Sequence, residues 1–169
     1  AVEEVVEKIE DWKGKEIFIE PLSGGLTNRN YRVEVDGISY VLRVPGESTE
    51  LLAVDRTNEY HNTKAAAQAG VGAQVHYYLP DHCVMVLEFL EAKTMSKDSL
   101  NAPGMQTRMA QSIRQLHSGP RFFSDFNMFR LTEYYLNVCK QREIRIPEGC
   151  LERIPMVTQI EKAMSVNPL

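Results

Sequence analysis

Apolar and polar positions change their period twice along the chain, and those changes divide it into elements. Val2, Val5, Val6 and Ile9 recur at helical spacing, which predicts a short amphipathic helix over 2–12. Three strand-like runs follow at 16–22, 30–35 and 38–44. Asp36-Gly37 separates the second from the third, and a tight turn there needs positive φ at both residues, so the pair marks a hairpin. Pro45-Gly46 ends the third run. Leu51, Leu52 and the stretch Ala65 to Ala67 predict a helix over 49–69 with Gly70 as its stop. Two more strands, 74–79 and 83–89, are joined by Pro80-Asp81-His82, a turn signal.

From Leu90 onward only helical spacing remains. Met105, Met109, Ile113 and Leu116 form a stripe that Gly119-Pro120 terminates, and both methionines are expected in the core. An aromatic connector over 122–129 leads to helices at 131–140 and 155–164, with Pro155 suited to a first turn. Phe122, Phe123, Phe126 and Phe129 are expected to pin that connector to the helical part. The element order predicts an α+β protein: a five-stranded antiparallel sheet with one inserted helix over 1–89, then a helical part over 90–169.

Composition narrows the classes. At 169 residues, 43% of them hydrophobic, the chain suits one domain, or one lobe with part of another. A net charge of −4 argues against a nucleic-acid footprint. No apolar run has membrane-spanning length, and the opening Ala1-Val2-Glu3-Glu4 is unlike a signal peptide. Cys83, Cys139 and Cys150 are odd in number and far apart, which predicts reduced thiols and a cytoplasmic location. His61, His76, His82 and His117 show no metal-ligand spacing and are expected to be structural.

The chemistry concentrates at Ser23-Gly24-Gly25-Leu26-Thr27-Asn28, a glycine-bearing loop at the tip of two strands. Without side chains at Gly24 and Gly25, backbone N–H groups can reach phosphate oxygens. Ser23, Thr27 and Asn28 can add side-chain hydrogen bonds or merely stabilise the turn. The loop matches neither GxxxxGK[ST] nor GxGxxG. On strand 38–44, Tyr40, Leu42 and Val44 share one face while Val41 and Arg43 share the other. Arg43 is a candidate phosphate ligand or a plain surface cation. Glu59, with Glu50 as rival, is a candidate carboxylate partner that arginine could grip bidentately, or an exposed helical residue. The segment 84–91 lies where strands give way to helices, so the Glu88 carbonyl and Leu90 amide could meet a base edge.

These features resemble the kinase fold, in which a basic residue on the third strand reaches the phosphates and the residue two before it covers the adenine. Arg43 and Val41 stand at those places. SGGLTNRNYRV, YVLRVPG, VDRTNEYHNTKAA, VLEFLEA, LHSGPRF and DFNMF resemble choline and ethanolamine kinases, a branch of the aminoglycoside-phosphotransferase-like kinases, from about Pro21 to Phe129. The resemblance implies ATP and Mg2+ as cofactors and transfer of the γ-phosphate to the hydroxyl of a small amino alcohol such as choline or ethanolamine. It also implies a His-x-Asp-x-x-x-x-Asn loop and a further metal-binding aspartate, and no histidine here is followed by aspartate two residues on. The expected object is thus the small lobe and first large-lobe helices, ending before the catalytic loop, with metal ligands outside the chain. Such a piece would expose Tyr134, Tyr135, Leu136 or Met156 and self-associate. The alternatives are another small-alcohol or aminoglycoside kinase of the same fold, and a non-catalytic nucleotide-binding or interaction module.

Overall fold

The computed structural model describes residues 2–46 and 52–166. The first element is α1 (Val2–Val6), followed by a 3-10 turn over Glu10–Trp12. One continuous helix over 2–12 is therefore not formed: Ile9 adopts extended φ −85°, ψ 104° and breaks the helical run. The strands are β1 (Ile17–Leu22), β2 (Asn28–Val35), β3 (Ile38–Pro45), β4 (Val75–Leu79) and β5 (Val84–Glu88). They form one sheet in the order β1-β2-β3-β5-β4, and every neighbouring pair is antiparallel. Asp36 and Gly37 take φ of 48° and 80° at the β2–β3 hairpin, as the Asp-Gly pair requires. Strand β3 continues through Pro45, which pairs with Asn28.

The core lies on one face of this sheet. Val33, Val35, Leu42, Val84 and Val86 point there and pack with Val6, Ile9 and Trp12 of the N-terminal segment. The single tryptophan is 3% exposed and meets the rings of Tyr40 at 5.3 Å and Tyr77 at 5.8 Å. Tyr77 donates its hydroxyl to Asp11 at 2.8 Å, which anchors that segment to β4. The hydrogen bond to Asp11, helped by burial, raises the phenol above its ordinary pKa.

Helix α2 (Arg56–Gln68) begins later than the apolar pattern suggests, because Asp55 caps it by accepting from the Asn58 N–H at 2.9 Å. The first part of the expected helix, Glu50 included, lies outside the described residues. Gly70 ends α2 with φ 74° and an N–H bond to Ala67. Tyr60 stacks on Tyr78 at 4.0 Å, which ties α2 to β4.

Two compact units divide the chain, Ala1–Ser124 and Asp125–Leu169. The first also holds α3 (Lys97–Leu100) and α4 (Met105–His117). Gln115 of α4 donates to the Ala69 carbonyl at 2.8 Å, and Gly119 comes so near Ala69 that a side chain there would clash at 2.6 Å. The stripe on α4 is less buried than expected: Met109 and Ile113 are exposed, since a helix stripe is covered only where a second element lies along it. The aromatic connector also corrects an expectation. Phe123 bonds through its N–H to Asn62 and stacks on His61 at 4.5 Å, so α2 holds it, whereas Phe126 stays exposed.

In the second unit, Asn127 caps α5 (Met128–Gln141) by accepting from the Phe129 and Arg130 N–H groups, so the helix starts inside the expected connector. A 3-10 turn at Leu151–Arg153 runs into α6 (Ile154–Val166). Arg130 joins the two helices, meeting Glu133 and Glu161 at 2.6 Å each. Tyr134, Tyr135 and Met156 are exposed, while Leu136 is half-buried. No helix among the described residues is long and apolar enough to cross a membrane.

Candidate functional site

Because Tyr40, Leu42 and Val44 face the core, the pleat turns Val41 and Arg43 to the opposite side of β3. There Arg43 stands across from Asn30 on β2 and Met85 on β5, and Val41 across from Arg32 and Leu87. The first turn of α2 delivers Glu59 to the same place. Arg43 Nη1 lies 3.6 Å from Glu59 Oε1, which makes a single ion pair and not the bidentate grip that arginine permits. The reason is competition. Arg56, three residues earlier on α2, holds Glu59 Oε2 at 2.6 Å, and the Asn28 side-chain amide donates to Oε1 at 2.7 Å.

Arg56 also closes the end of the glycine loop. Its guanidinium donates to the Asn28 side-chain oxygen at 2.5 Å and to the Thr27 carbonyl at 3.1 Å. The same carbonyl accepts the Gly46 N–H at 2.9 Å. Thr27 and Asn28 thus serve the architecture of the loop, and α2, β2 and β3 meet there. Ser23, Gly24, Gly25 and Leu26 project beyond this knot, with Leu26 fully exposed.

The geometry fits an anionic group. Gly24 has φ 93° and open space where a side chain would stand, so its backbone is approachable. Gly25 has φ 106°, and a Cβ there would meet the Asn28 carbonyl oxygen at 2.7 Å and the Asn30 amide nitrogen at 3.1 Å. Arg43 Nε is buried with no acceptor among the described residues, and Asn30 Oδ1 is likewise buried with no donor among them. A guanidinium N–H left unpaired at this point has a donor to offer an anionic group. No three His, Cys, Asp or Glu side chains among the described residues are grouped to hold a metal, and Glu59 is already engaged on both oxygens.

Glu88 ends β5, with its N–H bonded to the Gln74 carbonyl at 2.8 Å, and Leu90 follows as an exposed residue. Between them the Phe89 ring lies under the Arg32 guanidinium, 5.0 Å from its centroid. The structure brings together Gly25, Thr27, Asn28, Arg43 and Glu59, and places Val41 and Glu88 farther along β3 and β5 from the loop, with Leu90 just past the end of β5. Sequence reasoning missed Arg56, Asn30 and Arg32. Capping by Asp55 would have revealed Arg56, since it fixes the helix start and sets Arg56 and Glu59 one turn apart.

Comparison with known proteins identifies relatives of the whole fold. A family model described as choline/ethanolamine kinase matches residues 19–165. A probable ethanolamine kinase A of Dictyostelium discoideum is 31% identical over 113 residues, which are 63% of this chain and 32% of that protein. Protein LicA of Haemophilus influenzae is 28% identical over 112 residues, 63% of this chain and 33% of that one. The chain thus matches about a third of the length of these relatives. Among solved structures, a choline/ethanolamine kinase family protein of Mesorhizobium loti superposes with TM-score 0.79 at 30% identity, covering 99% of this chain and 54% of that one. LicA in complex with AMP has the same fold, with TM-score 0.70 at 22% identity over 96% of this chain and 56% of that one. The match over most of the chain, with the sheet and loop it brings, establishes that this protein belongs to the choline/ethanolamine kinase family.

Proposed function

We propose that this chain supplies the nucleotide-binding part of an ATP-dependent kinase that phosphorylates the hydroxyl of choline or ethanolamine. The observation that carries the reading is Arg43: its Nε–H is buried without an acceptor among the described residues, on the strand next to the two-glycine loop, and Glu59 steadies the other end of the guanidinium. In this reading the Gly24 and Gly25 backbone receives the phosphates, Ser23, Thr27 and Asn28 shape the loop, Val41 covers the adenine, and Glu88 and Leu90 meet the base edge through their backbone. Leu26 caps the tip. Mg2+, when bound, would neutralise the charge that develops on the transferred phosphoryl group. The kinase-like segment is read as 1–89, the helical segment as 90–169, and the location as cytoplasmic.

Proton removal from the acceptor hydroxyl needs a base, and the sequence offers no His-x-Asp string to provide it. The 169 residues by themselves are therefore expected to bind nucleotide without turning over choline, and to self-associate through surface that includes Tyr134, Tyr135 and Met156. The choice between choline and ethanolamine rests on relatives of both kinds. Calorimetric titration of ATP into the wild-type chain and the Arg43→Ala variant tests the core of the reading. A loss of at least tenfold in affinity is expected, and equal affinities would overturn it.

A further inference from the structure

We propose that Arg32 is the roof of the base subsite and selects a purine by laying one flat face of its guanidinium on the ring. This inference rests on the nucleotide reading above and adds to it a specificity-determining residue. Its first support is register. Arg32 is the cross-strand neighbour of Val41, just as Asn30 is that of Arg43, so it lies one pleat farther from the glycine tip on the same sheet face. Two residues along a strand are roughly 7 Å, a separation suited to the sugar between phosphate and base.

The second support is what Arg32 already touches. Its Nε and Nη2 donate to Ser39 Oγ at 3.1 and 3.0 Å, Nη1 to Glu20 at 3.2 Å and Nη2 to Glu34 at 3.4 Å. These bonds occupy the edges of the guanidinium, and the two carboxylates offset its charge. It is thus poorly suited to hold phosphate, and its planar faces are what it has to offer. One of them covers Phe89, the residue between Glu88 and Leu90.

The experiment compares ATP, CTP and inorganic tripolyphosphate as ligands of the wild-type chain, Arg32→Ala and Arg32→Lys. Lysine keeps the charge and loses the plane, and thermal melts confirm folding. Stacking predicts that both variants lose about tenfold in ATP affinity, hold tripolyphosphate within twofold, and no longer prefer ATP to CTP. Unchanged ATP affinity, or equal losses for ATP and tripolyphosphate, would overturn the role of Arg32 and leave the phosphate site standing. A wild-type chain that binds neither ligand would instead remove the nucleotide reading and this inference with it.

Discussion

Glu59 and Arg56 stand three residues apart on α2 and meet at 2.6 Å, and through that contact Arg56 is aimed at Thr27 and Asn28 of the glycine loop. Both side chains are largely shielded, at 18% and 14% exposure, so losing one leaves charged partners poorly solvated. Arg56→Ala is expected to cost about 2 kcal/mol, within the range for hydrogen bonds to charged groups. Urea unfolding followed by Trp12 fluorescence measures it, and a change below about 0.5 kcal/mol, the level of an ordinary surface substitution, would contradict the clamp.

The two loop glycines are expected to differ. At Gly25 an alanine side chain meets the Asn28 carbonyl oxygen at 2.7 Å in addition to the strained φ, whereas at Gly24 only the φ opposes it. Gly25→Ala should therefore destabilise the protein more than Gly24→Ala, the backbone strain alone being of order 1–3 kcal/mol. Equal midpoints in urea for the two variants would show that the close approach is absent in solution.

Core and loop leucines make a contrasting pair. Leu42 has no exposed surface, and Leu42→Ala should cost about 2–5 kcal/mol for the lost burial and the cavity left behind. Leu26 is fully exposed, and Leu26→Ala should stay within about 0.5 kcal/mol of wild type. Both values come from the same urea series, and a large loss for Leu26 would mean that the loop tip packs against something.

Alkaline pH should weaken the attachment of the N-terminal segment. The Tyr77 phenol is raised above the ordinary phenol value of 10.0, chiefly by its bond to Asp11. A raised folded-state pKa means that the neutral phenol stabilises the fold fully below pH 10 and that this contribution fades as the pH climbs through the folded value. Tyr78 is shifted the same way, mainly by burial, so wild type alone does not isolate the effect. The difference between wild type and Tyr77→Phe should shrink as the pH rises past 10 in stability measurements. A difference that stays constant with pH would exclude the linkage.

Much of the sheet could be read from local chemistry. Asp36-Gly37 dictates its turn through positive φ, and alternation in β3 correctly separates Leu42 from Arg43, because a pleat has only two sides. What escaped reading depended on partners remote in sequence. Nothing near Glu59 announces that Asn28 will occupy one of its oxygens, so the bidentate pair with Arg43 looked available. Met109 carries a core-like stripe, yet exposure depends on what lies over it. Arg32 reads as an ordinary polar position in a hairpin, and only the register with Val41 and the ring of Phe89 gives it a place at the site.

Helix α2 holds Glu59 toward the loop while Asn58, His61 and Asn62 grip Ser124 and Phe123. Its loop contact and its connector contacts therefore share the first two turns of the helix. In the nucleotide reading proposed above, any shift of these two turns would move the carboxylate beside Arg43 together with the stretch at Phe123 and Ser124.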